Sequence, residues 1–144
     1  MMARPPGPSR MPTPLEEAIA LHQKGKLNPA RKIYREVVAR QPGNADAQEL
    51  LGLAAAELGD LAEAEVAFTR AAALTPKFSV LFNLGMAQRK SGRLAEAEAT
   101  FRKTLAMVPR QADAHFQLGT TLAQQGRLPE AAESYQAAIA DNSR

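Results

Sequence analysis

Residues 92–109 read GRLAEAEATFRKTLAMVP, and the same text returns with small changes at 59–76 (GDLAEAEVAFTRAAALTP), 126–143 (GRLPEAAESYQAAIADNS) and 25–42 (GKLNPARKIYREVVARQP). The leading glycines, Gly25, Gly59, Gly92 and Gly126, stand 34, 33 and 34 residues apart. Five residues after each glycine comes an alanine (Ala30, Ala64, Ala97, Ala131), and four after that an aromatic (Tyr34, Phe68, Phe101, Tyr135). Pro42, Pro76 and Pro109 close three of the units. A period of this length marks stacked supersecondary units, none of which can bury its apolar face alone. Arrays of this kind present extended surfaces to partners, so the pattern points to binding rather than to chemistry.

Small and apolar residues within these texts fall at i, i+4, i+7 and i+8, one face of an α-helix, as in Ala30, Tyr34, Val37 and Val38. An upstream segment in each unit carries a matching stripe, centred on Leu51-Gly52, Leu84-Gly85 and Leu118-Gly119. Two helices per unit are therefore predicted, about eight in all. A glycine in mid-helix lets a neighbour approach closely, and Gly52 is predicted to face Ala64 across its pair. Thr13-Pro14-Leu15-Glu16 supplies an N-cap, a proline at the first helical position and a carboxylate for a capping box; Asp60 with Glu63 repeats the device. The loop glycines sit where one helix ends and the next begins, a place that favours positive φ. Pro76 to Gly85 is one residue shorter than Pro42 to Gly52 or Pro109 to Gly119, so the junction before the third unit is predicted to be irregular.

A chain of 144 residues holds one domain: a Pro-rich head over 1–12, expected to be disordered, and an array over 13–144 with copies at about 11–44, 45–78, 79–111 and 112–144. There is no cysteine, which excludes a disulfide framework, a thiolate metal site and a cysteine nucleophile. The first residues lack the apolar core of an export signal and no run has transmembrane length, so a cytoplasmic protein with no membrane partner is expected. The basic pI of 9.5 does not collect into a stripe. The head carries +2 and the four units carry +3, −4, +4 and −2 in turn. This alternation breaks the continuous path that phosphate tracking requires, so nucleic acid is not an expected partner.

In its Leu81, Leu84-Gly85, Gly92, Ala97, Phe101 and Pro109 the chain resembles the tetratricopeptide repeat family, over residues 11–144 and in four copies. The resemblance implies an all-α, right-handed solenoid of four antiparallel helix pairs serving as a protein-interaction scaffold. The aromatic that opens each first helix in the family is here Pro14, Gln48, Leu81 and His115, and Glu17-Ala18 replaces Leu-Gly in the first copy, so the first pair is predicted to be the weakest. Ser143 stands where proline belongs, and the last pair, with its Ala-rich outer face, offers a surface for self-association. The wording of the first copy also looks like bacterial proteins in which such repeats precede a transferase-type catalytic domain, so an arm of a larger enzyme is the alternative reading.

Catalysis needs converging groups, and the sequence offers none. His22 and His115 are almost three units apart with no partner at ligand spacing, and Glu16-Glu17, Glu63-Glu65 and Glu96-Glu98 read as helix-start acids facing solvent. No catalytic residue, metal or cofactor is predicted. The resemblance implies instead a peptide groove along the first helix of each pair, comprising Ile19, Glu49, Leu53, Phe82, Met86, Arg89, Lys90, Phe116 and Thr120, with Leu15 beside them. Phe82, Met86 and Phe116 are expected to stand apart from the packing stripe as a contiguous apolar strip for a hydrophobic or amphipathic peptide. The two-carboxylate clamp known in the family is not implied, because of its five positions only Asn83 matches in the last three copies, the others holding Glu49, Leu53, Asp113 and Gln117.

Overall fold

The computed structural model describes residues 10–142; the expected disorder of the head, over residues 1–9, and the replacement of proline by Ser143 fall outside these described residues. Eight helices follow one another: α1 (Pro14–Gln23), α2 (Leu27–Arg40), α3 (Ala45–Glu57), α4 (Leu61–Leu74), α5 (Phe78–Lys90), α6 (Leu94–Met107), α7 (Ala112–Gln124) and α8 (Leu128–Asn142). They pack as antiparallel pairs, α1–α2, α3–α4, α5–α6 and α7–α8, and each pair stacks on the next.

The turn inside each pair is built by its glycine. Gly25, Gly59, Gly92 and Gly126 have φ between 78° and 84°, the left-handed conformation that ends a helix without a Cβ penalty. The following backbone N–H then reaches back five residues in every copy: Lys26 to Leu21 at 2.9 Å, Asp60 to Ala55 at 2.8 Å, Arg93 to Gln88 at 2.8 Å and Arg127 to Leu122 at 2.9 Å. The same turn is thus built four times.

The mid-helix glycines work as expected, but against a different partner. A Cβ at Gly52 would lie 2.5 Å from the Phe68 ring, and one at Gly85 would lie 2.7 Å from Phe101. The nearest atoms are those of the aromatic rather than of Ala64, because the ring fills the place of the missing side chain; in the last copy a Cβ at Gly119 would meet both the Tyr135 ring at 2.9 Å and the Ala131 carbonyl at 3.2 Å. Between units, Leu51 joins the cluster of Tyr34 and Ala30, Leu84 that of Phe68 and Ala64, and Leu118 that of Phe101 and Ala97. Each first helix thus inserts a leucine against the preceding unit's aromatic.

Local signals set the boundaries. Thr13 accepts from the Glu16 N–H at 3.1 Å, Asn44 from Ala47 and Asp60 from Glu63. The second half of each capping box is absent: the Glu16 carboxylate takes Arg10 at 2.7 Å, and that of Glu63 takes Arg35 at 2.7 Å. The short junction before the third unit is irregular as predicted. Its neighbours form four-residue turns, whereas Thr75, Pro76 and Lys77 connect α4 to α5 with a tight Lys77 N–H to Thr75 carbonyl bond of 2.9 Å. In α1, Ala18 is the one buried residue, consistent with a weakly anchored first pair.

Candidate functional site

Four of the predicted groove residues converge. Leu53 of α3 and Phe82, Met86 and Lys90 of α5, together with Ala56, Leu61, Phe68, Asn83 and Ala87, line a hollow of about 150 Å³ between the two first helices. Phe82, Met86 and Lys90 are spaced four residues apart and so form one stripe on α5. Phe82 and Met86 do not stand apart from the packing, contrary to the expectation: both rest on the cluster of Phe101, Leu118 and Leu122, and Phe82 meets the Phe101 ring edge-on at 5.9 Å. They are half-buried, serving as core on one side and groove floor on the other.

The remaining predicted residues distribute around this hollow. Ile19 packs on the core of the first unit. Glu49 is engaged within the array, receiving Lys77 Nζ at 3.0 Å and the Ser79 hydroxyl at 3.1 Å. Arg89 donates to Gln124 Oε1 at 3.4 Å, while its buried Nε has no partner among the described residues. The Thr120 hydroxyl donates to the Phe116 carbonyl and accepts from Tyr135, both at 3.1 Å. Phe116 does not join Phe82 in one strip. It is 51 % exposed and lines a separate hollow of about 580 Å³ with Asp113, Tyr135 and Ile139 on the α7–α8 face. The two phenylalanines share a register, but Phe82 packs against the cluster to which α7 contributes Leu118 and Leu122, whereas no helix stands on the far side of α7 among the described residues.

Two sets of contacts were missed by the sequence reading. His22 bridges three helices, with Nε2 donating to Glu57 at 3.1 Å and Nδ1 accepting from the Tyr34 hydroxyl at 3.0 Å. Burial, and secondarily the Glu57 charge, raises the Tyr34 pKa, so the hydroxyl keeps the proton it donates. Glu63, Glu65 and Glu98 form the second set: they tie units together, whereas Glu16, Glu17 and Glu96 are exposed as expected. Arg31 lies 3.7 Å from Asp60 and 3.6 Å from Glu63, Arg93 pairs with Glu65, and Arg127 pairs with Glu98 at 2.5 Å. Burial acts to raise the Glu98 pKa, but hydrogen bonds from Gln125, Arg102 and Arg127 outweigh it and hold the carboxyl below its ordinary value of 4.5. The sequence signal was present: opposite charges recur 28 or 29 residues apart, as in Arg35 with Glu63, Glu65 with Arg93 and Glu98 with Arg127.

His115 donates to the Pro109 carbonyl at 2.9 Å, as Gln48 does to Pro42 at 3.3 Å, so two of the residues replacing the family's opening aromatic fasten their helices, α7 and α3, to the turn before. Among the described residues, no helix is long and apolar enough to cross a membrane.

A sequence model described as "Tetratricopeptide repeat" matches residues 15–77 and 82–144. Among curated proteins no significant match was found. Similar solved structures include MamA (MSR-1), with 25 % identity, a TM-score of 0.87 and coverage of 91 % of this chain and 76 % of that one. MamA (AMB-1) gives 26 % identity, a TM-score of 0.83 and coverage of 88 % and 69 %. YrrB, described as a TPR protein with an unusual peptide-binding site, gives 23 % identity, a TM-score of 0.86 and coverage of 89 % and 66 %.

Proposed function

Since the chain belongs to the tetratricopeptide repeat family, we propose that it is an interaction scaffold that holds a hydrophobic or amphipathic peptide segment along its first helices. The observation that carries this reading is the hollow floored by Leu53, Phe82 and Met86, an apolar opening between α3 and α5 that the array's own packing leaves unfilled. Its volume suits one aliphatic side chain. Burying such a side chain contributes about 1.5 to 3 kcal/mol, and two or three such contacts less the cost of ordering the peptide give micromolar or weaker affinity. That YrrB carries a peptide-binding site on the same fold supports the reading by analogy. The test is a peptide array probed with the wild type and with Met86→Glu, whose charge sits on the groove floor. Segments retained by the wild type and lost by a still-helical variant support the groove; equal retention overturns it.

A second reading, self-association, rests on the α7–α8 face, where Phe116 is 51 % and Ile139 66 % exposed. Head-to-tail growth is opposed by the first unit, which carries an exposed Glu17 in the register where Leu51, Leu84 and Leu118 enter the preceding aromatic cluster. Association through this face would therefore join two like ends, and light scattering across a concentration series reads it directly: a rise to dimer mass and no further supports it, constant monomer mass refutes it.

A further inference from the structure

The groove is electrically polarised across the hollow, and the cations on one side lack partners. On the α3 side Glu57 is engaged by His22 and Glu49 by Lys77 and Ser79, while Asp46 makes no ion pair among the described residues. On the α5 side neither Arg89 nor Lys90 lies within ion-pair distance of a carboxylate among the described residues, although Arg31, Arg35, Arg93, Arg102 and Arg127 all do. Among the described residues the hydrogen bond of Arg89 goes to the neutral Gln124 of α7, and its buried Nε is left over. Gln117 of α7, in the register of Asn83, holds a buried Oε1, an acceptor, also without a partner among the described residues. Lys90 forms part of the wall of the hollow itself. The unpaired buried donor of Arg89 is costly unless a partner completes it, and the exposed Lys90 beside the apolar floor adds a second positive charge.

Resting on the groove reading above, we propose that the occupant is an extended segment with an aliphatic anchor in the hollow and an acidic side chain displaced toward α7, held by Arg89 and Lys90. An internal Asp or Glu fits better than a chain terminus, because the array continues on both sides of the hollow, to Ile19 and His22 in one direction and to Thr120 and Gln124 in the other. The spacing follows from geometry. Neighbouring helix axes lie about 8–10 Å apart, and an extended chain advances about 3.3 Å per residue. Passing from the α3–α5 hollow to the α5–α7 gap therefore takes roughly three residues. The acidic α3, with Asp46, Glu49 and Glu57, opposes a carboxylate on its side and so gives the segment one orientation by charge.

The experiment uses fluorescence anisotropy with labelled twelve-residue Ala/Ser peptides carrying Leu-Ala-Ala-Glu, Glu-Ala-Ala-Leu or the corresponding lysine sequences. The wild type is expected to bind the better glutamate peptide about tenfold more tightly than its lysine counterpart, with the difference shrinking as NaCl rises. In the Arg89→Glu/Lys90→Glu variant the preference should invert, an outcome that loss of folding cannot mimic. Equal binding of glutamate and lysine peptides by the wild type, abolished by Leu53→Glu, overturns the charge assignment while leaving the groove reading intact. No binding of any peptide by the wild type overturns the groove reading and this inference with it.

Discussion

Replacing Gly52 by alanine sets two known effects against each other. In an exposed helix the change stabilises by about 1 kcal/mol, because alanine restricts the unfolded chain and favours the helix. Here the new methyl would lie 2.5, 2.6 and 2.9 Å from three carbons of the Phe68 ring. Carbon atoms pack at about 3.5–4.0 Å, so the ring or helix α3 must move by about 1 Å. The ring is 1 % exposed and clustered with Ala55, Ala64, Leu84 and Ala87, so it can shift only toward the small hollow it borders with Leu53 and Phe82. Overpacking of this kind costs about 1–3 kcal/mol, and the depth of the overlap, three ring carbons within 3 Å, places Gly52→Ala near 3. The net expectation is roughly 2 kcal/mol of destabilisation, a fall of about 6–10 °C in melting temperature for an array of this size. Circular dichroism melts would compare Gly52→Ala with Gly43→Ala, whose Cβ would meet nothing within 4 Å and which should change stability by less than about 0.5 kcal/mol. Combining Gly52→Ala with Phe68→Leu should cost less than the sum of the two single changes by about 1 kcal/mol, the signature of direct contact. A stabilised Gly52→Ala protein would refute the ring-over-glycine packing on which the pair geometry rests.

Three other outcomes are expected. Phe101→Ala empties the space over Gly85 and beside Leu118 and Leu122, and should cost about 3–5 kcal/mol by thermal or urea melting. Gly92→Val places a β-branched residue at φ 82° and should cost at least about 1–2 kcal/mol with no loss of packing, so its helical content at low temperature should equal the wild type's. Because the folded Glu98 pKa lies below 4.5, its contribution is present at neutral pH and is lost as acid protonates it through that lowered value. The melting-temperature gap between wild type and Glu98→Gln should accordingly be widest near pH 7 and close below about pH 4; a gap that widens with acid would contradict the assignment.

Helices, turns and unit boundaries were legible because each rests on a local rule that recurs along the chain, such as the positive φ of Gly92, repeated four times, or the proline after α6, repeated three times. What was misread depends on how elements rotate against each other. The period of α3 shows that Gly52 faces its partner helix, but only packing decides that the Phe68 ring, rather than Ala64, lies over it. Glu63, Glu65 and Glu98 sit where helix-start acids normally meet solvent, and stacking instead brings an arginine of the adjoining unit to each. Phe82 and Phe116 occupy the same register and were read alike. Exposure is a property of the neighbour, however, and of the two Phe82 alone packs against the cluster to which α7 contributes Leu118 and Leu122. His22 meets Tyr34 and Glu57 because the first two units stack, which no short-range pattern records.

The groove claim is tested most directly by mapping amide NMR shifts of the labelled chain on titration with a peptide selected from the array. Shifts concentrated at Leu53, Phe82, Asn83, Met86, Lys90 and Gln124 are predicted. Shifts confined to α4 and α6, or to the Phe116 and Ile139 face, with these residues unmoved, would place binding elsewhere and contradict the account.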